Sequence, residues 1–226
     1  MTTSWRVHRH LPMLADTRIG RAANYLGQLR AYSYVDLLLL LAAVQAGPAV
    51  IAGASLLWFG FLIHLEWRHH DRGRLGWHWS LWIGPWVVAP LLVPSPWILA
   101  FYACAVAYAY KKRFRWAAAV SPLVNGLLKT FLVLLVPGVS PGLVLLVFGL
   151  MTIRNLLGDL RDAEKDAKES VMTLPVVFGY HRSTPYVYPA GLVVTSTVWT
   201  LIGGLPWWAL AGALIVQAAT YRLTPR

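Results

Sequence analysis

Residues 153–179, IRNLLGDLRDAEKDAKESVMTLPVVFG, hold the densest set of polar side chains in the chain. Within them Asn155, Asp159, Asp162 and Asp166 recur at intervals of four, three and four. On a helix that spacing places an amide and three carboxylates along one face. Like charges on one face repel, so such a face needs a counter-ion or water. Hard oxygen donors suit Mg2+, which commonly takes one or two carboxylates and reaches the phosphates of a bound substrate. Arg161 and Lys168 in the same stretch either contact phosphate oxygens or pair with neighbouring carboxylates. The pattern, which also includes Lys165, reads in addition as a solvated helix of acids and bases; spacing leaves both readings open and favours the metal–phosphate site.

Lys129 stands well inside the apolar run 117–136, about 12 residues from its charged end. At about 1.5 Å per residue that depth is near the midplane of a bilayer-spanning helix. An ionisable group there is expected to face a cavity or a polar partner. Asn125 lies one turn earlier on the same face. Lys111, Lys112, Arg113 and Arg115 precede that run and offer cations to a phosphate, or mark the end of a span. His64, His69, His70 and His78 lack a regular metal-ligand spacing and read as interfacial histidines. Asp36, near the start of the first apolar run, reads as an interfacial charge as well.

The elements that must position these residues are apolar. The chain is 226 residues long, 58% hydrophobic and 13% charged, with a mean hydropathy of +0.55. Apolar runs at about 33–46, 49–65, 78–93, 97–110, 117–136, 141–157, 185–202 and 206–221 predict an all-α, polytopic transmembrane bundle of about eight spans. The connections AGP, VPSP, VPGVSPG and IGGLP carry no Lys, Arg, Asp or Glu, whereas EWRHHDRGR, KKRFR and GDLRDAEKDAKES carry many. That asymmetry predicts an integral membrane protein of the cell inner membrane with both termini cytoplasmic. Trp67, Trp77, Trp79, Trp82, Trp97 and Trp116 near the predicted ends fit an interfacial belt. Residues 1–32 mix arginines with leucines and read as an amphipathic cytoplasmic arm without a signal-peptide pattern, leaving 33–226 as the transmembrane domain. A net charge of +11 with its basic residues at the ends of apolar runs points to membrane lipids and an anionic substrate rather than nucleic acid. The single cysteine, Cys104, excludes an internal disulfide.

Asp162, Asp166 and the run Thr173-Leu174-Pro175-Val176 together resemble the second aspartate-rich motif of the UbiA superfamily of intramembrane prenyltransferases. Tyr110-Lys111-Lys112-Arg113 with Asn125 and Gly126, and Leu29-Arg30-Ala31-Tyr32, are similar to other parts of that family. Where the family carries a first motif, NDxxDxxxD, this chain has His64-Leu65-Glu66-Trp67-Arg68-His69-His70-Asp71, and Lys165 and Ser170 stand where glycines are usual. The resemblance implies a helical bundle in which Mg2+, held by Asp162, Asp166 and Asp159 with Glu66 and Asp71 from the other motif, binds a prenyl diphosphate. It further implies a transferase that moves the prenyl group to a lipophilic or aromatic acceptor, with Asn155, Arg161, Lys168, Lys112 and Asn125 around the diphosphate and Lys129 in the cavity. Two other readings accompany it: a terpene cyclase of the same superfamily, and a non-enzymatic membrane protein on that scaffold.

Overall fold

The computed structural model describes residues 29–69, 79–110 and 117–223. Among them are nine α-helices and one 3-10 turn. In chain order they are α1 (Ala31–Ala43), α2 (Pro48–His69), the 3-10 turn Trp79–Trp82, α3 (Ile83–Leu92) and α4 (Trp97–Ala109). There follow α5 (Ser121–Val133), α6 (Pro141–Lys168), the single turn α7 (Leu174–Val177), α8 (Val187–Ile202) and α9 (Trp207–Leu223).

Local chemistry sets several of the boundaries. Pro122, Pro141 and Pro175 sit in the first turns of α5, α6 and α7, where a missing N–H costs nothing. The Ser140 hydroxyl caps α6 by accepting from the Leu143 N–H at 3.3 Å. Beyond α1 and α6 the chain turns back through Gln45 (φ 54°) and Ser170 (φ 55°), both left-handed. Each reversal is closed by a long-reach backbone bond, Ala46 N–H to Leu41 O at 2.9 Å and Val171 N–H to Asp166 O at 2.8 Å.

The helices bury their apolar faces on α1, which stands between two core clusters. On one side Leu37 and Leu41 meet Leu57 and Phe61 of α2, Phe101 of α4 and Leu128 and Leu132 of α5. On the other, Leu39 and Leu40 meet Val147 and Met151 of α6, Trp199 of α8 and Ala213 of α9. The pair α5–α6 packs closely at Gly126, where a Cβ would come within 2.9 Å of the Phe148 carbonyl oxygen. Only glycine admits that contact. Large apolar side chains also stand on the outside, among them Leu91, Leu99, Leu201 and Trp207.

This architecture corrects the expectation of an eight-span, UbiA-like polytopic bundle. Among the described residues two helices, α2 over Pro48–Glu66 and α6, are long and apolar enough to cross a membrane. A span needs about 20 residues, whereas α1, α4 and α5 have 13 each and α8 has 16. Their apolarity has another account: Leu37, Leu40 and Leu41 of α1, and Leu128 and Leu132 of α5, have no exposed surface. A helix enclosed on several sides by other helices is apolar nearly all round, as a membrane span is. The inner-membrane placement with both termini cytoplasmic rested on the eight-span partition and falls with it. The Trp82 ring stacks on His64 at a centroid separation of 4.6 Å. Most of the arm, residues 1–28, and Trp77 and Trp116 lie outside the described residues.

Candidate functional site: an interhelical cavity lined by arginines

Two charged residues meet in the interior between α1 and α6. Asp36 has no exposed surface, and its Oδ1 lies 2.5 Å from Nη1 of Arg154, itself 4% exposed. Thr195 of α8 completes a triangle, accepting from Arg154 Nη1 at 3.4 Å and donating to Asp36 Oδ1 at 3.2 Å. A buried ion pair survives desolvation only when further hydrogen bonds support it. Here the support is partial, because Asp36 Oδ2 is buried without a hydrogen-bond partner.

Arg154 also lines a cavity of about 50 Å³ enclosed by α1, α2, α4, α5, α6 and α8. A single water needs about 10–15 Å³ by the same measure, so the space suits an oxyanion, and the remainder of any larger ligand must lie outside it. Its polar lining includes Arg30, Arg154, Asn125 and Asn155, and its aromatic walls include Trp58, Phe61, Tyr108 and Tyr188. Arg30, just before α1, holds a left-handed backbone (φ 50°, ψ 50°), a conformation costly for any residue with a side chain. Its carbonyl accepts from the Ser33 hydroxyl at 2.8 Å, and Ser33 Oγ accepts from the Trp58 indole N–H at 3.2 Å. Asn155 accepts at Oδ1 from the Tyr108 hydroxyl at 3.1 Å, while its Nδ2 is buried with no hydrogen-bond partner. Arg30, Arg154 and Asn155 therefore line one small space.

Lys129 has no exposed surface, and its Nζ lies 3.5 Å from the centroid of the Trp58 ring. It does not itself line the cavity; Trp58 does. Burial pushes its amine down to about 7, with Asp36 acting in the opposite direction and Arg154 adding to the lowering.

The acidic stretch of α6 is arranged differently from the expected metal face. Asp162 is forked by Arg161, whose Nε donates to Oδ1 at 2.8 Å. That guanidinium also lies 4.7 Å from the Tyr188 ring centroid and donates to the Tyr221 hydroxyl at 3.3 Å. Asp159, Asp166 and Glu66 are buried, whereas Lys168 is exposed and pairs with Glu164 at 2.7 Å. Lys165 and Glu169 pair one turn on, at 3.9 Å. The end of α6 thus has two faces, Glu164, Lys165, Lys168 and Glu169 exposed and paired with one another, and Asp159 and Asp166 buried. Asp71 and Lys112 lie outside the described residues.

Among the described residues no group of three His, Cys, Asp or Glu side chains could hold a metal ion. Comparison with family models, with characterised proteins and with solved structures returns no match for this chain. The UbiA resemblance is therefore a short-motif likeness and does not identify the chain. Among the described residues the Mg2+-dependent prenyl transfer it implied and the terpene-cyclase alternative lack the acidic metal site and the polytopic fold on which they depended, and the non-enzymatic alternative lacks the polytopic scaffold.

Sequence reasoning brought Asn125 and Asn155 to the cavity's neighbourhood and missed the Asp36–Arg154 pair. A signal was present. Asp36 is the one charge in the run 33–46 and Arg154 the one charge in 141–157, and a lone acid and a lone base in separate apolar runs are natural partners.

Proposed function

We propose that this chain binds a small anion, or the anionic head of an amphiphile, in the cavity between Arg30 and Arg154. The observation that carries the reading is the unpartnered, buried Nδ2 of Asn155 beside two guanidinium groups. Guanidinium and amide donors match the oxygens of a phosphate, sulfate or carboxylate, and charge assistance roughly doubles the strength of such bonds. Leu62 and Leu65 of α2, beside Phe61, supply an apolar wall for a tail leaving the head group. A prenyl diphosphate is one member of this ligand class.

Calorimetric titration of the purified chain with sodium sulfate, and with a prenyl diphosphate, tests the proposal. Arg30→Gln is the variant of choice, because Arg30 is half-buried and lines the cavity, with the Glu66 carboxylate acting on it electrostatically. Loss of one charge-assisted contact is expected to weaken binding about tenfold or more. Equal affinity in wild type and Arg30→Gln, or no binding by the wild type, would overturn the reading. Binding is expected to be the same with and without Mg2+; a requirement for the ion would return Asp159, Asp162 and Asp166 to the site.

A further inference from the structure

Beneath the cavity is a second layer of charge that the anion reading does not use. Lys129 Nζ and Asp36 Oδ2 are both fully buried and both without a hydrogen-bond partner. They are opposite in charge and act on each other electrostatically. Asp36 spends its other oxygen on Arg154, which faces the cavity. The Lys129 ammonium lies against Trp58, whose ring is a cavity wall. Lys129 is therefore linked to the site twice, through the Asp36–Arg154 pair and across one indole ring.

We propose that Lys129 is a positioning residue whose charge state sets the affinity of the cavity for anions. When Lys129 is protonated, Asp36 is shared between two cations and less of its field cancels that of Arg154. The potential in the cavity is then more positive. When Lys129 is neutral, the Asp36 carboxylate belongs to Arg154 alone and the site attracts anions less. This inference rests on the anion reading of Arg30 and Arg154.

Titratable and charged groups face Lys129 from several helices. From α1 it faces Asp36, and from α6 Arg154, which stays charged at any accessible pH. From α2 it meets the Trp58 ring; His64, further along that helix, stacks on Trp82 instead. The titratable groups of α4 are Tyr102, Tyr108 and Cys104, and burial raises both the Tyr102 phenol and the Cys104 thiol away from neutrality. The Lys129 amine, lowered by burial to about 7, is charged below that pH and neutral above it. Anion affinity should therefore fall as pH rises through about 7 and level off above it.

Sulfate is the appropriate probe, because its charge is constant across this range whereas phosphate titrates within it. Its dissociation constant is measured between pH 5.5 and 9 (a bench range of roughly two units either side of the midpoint) for wild type, Lys129→Met and Arg30→Gln. The expected result is binding about tenfold tighter at the acid end than at the alkaline end in wild type, from one added charge at a short separation. Lys129→Met should be flat at the weak, alkaline value, and Lys129→Arg flat at the tight one; two variants guard against one failing to fold. A flat wild-type profile, or a pH dependence that persists in Lys129→Met, would overturn the inference. In either case binding lost in Arg30→Gln would leave the anion reading standing. Sulfate affinity indifferent to Arg30→Gln would remove both.

Discussion

The two long apolar helices, α2 and α6, have nearly the same hydropathy over their most apolar windows, 1.8 and 1.7, yet 56% of one window and 22% of the other is buried. In α2 the apolar side chains face other side chains: Leu57, Trp58, Phe61, Leu62 and Leu65 all belong to the larger core cluster. In α6 Val147 and Met151 point inward, while Leu145, Leu146 and Ile153 stand exposed. Farther along, α6 changes character and carries Arg154, Asp159, Arg161 and Asp162. Hydropathy measures what a helix is made of, not what surrounds it. One helix holds the core together, and the other brings charge to the cavity from a largely unburied stem.

Three substitutions would break or sharpen that contrast. Leu57→Ala in α2 removes a side chain with no exposed surface and should cost about 2–5 kcal/mol, read as a shift in denaturation midpoint. A loss below about 1 kcal/mol would mean that α2 is not the packing helix described here. Ser170→Gly at the end of α6 relieves a left-handed backbone strain of about 1–2 kcal/mol. It also loosens the unfolded chain by roughly 0.5–1 kcal/mol. The net expectation is a stabilisation of about 0.5–1 kcal/mol, and destabilisation would show that the turn after α6 is held by the serine itself. Leu145→Gln, at a position 69% exposed, should change stability by less than about 0.5 kcal/mol while lowering the binding of a hydrophobic dye. A large loss of stability there would place the α6 stem in a packed environment and erase the contrast with α2.

Much of the helical layout was legible because apolar runs and their punctuation are local. Ser140-Pro141 opens α6 as a cap followed by a first-turn proline, and the run into Lys168 is continuous. What misled was the inference from apolar run to membrane span, because α1 and α5 show how a short helix enclosed by others acquires the same composition. The site was legible only in pieces. Lys129 drew attention as an ionisable residue in an apolar run, and Asn155 as the start of a polar face. Their roles were not legible, because Asp36 and Thr195 are 159 residues apart in the chain and meet only across α1 and α8.

By itself the sequence determined an all-α chain, the starts and stops of several helices, and the positions of the few charges embedded in apolar stretches. Those depend on side-chain type and on contacts within a turn or two. The tertiary structure alone decided that α1 lies between two core clusters and that Asp36 answers Arg154. It also set Trp58 between Lys129 and the cavity. Charges in a low-dielectric interior take the partners that packing brings within a few ångströms, and no spacing along one helix specifies which those will be.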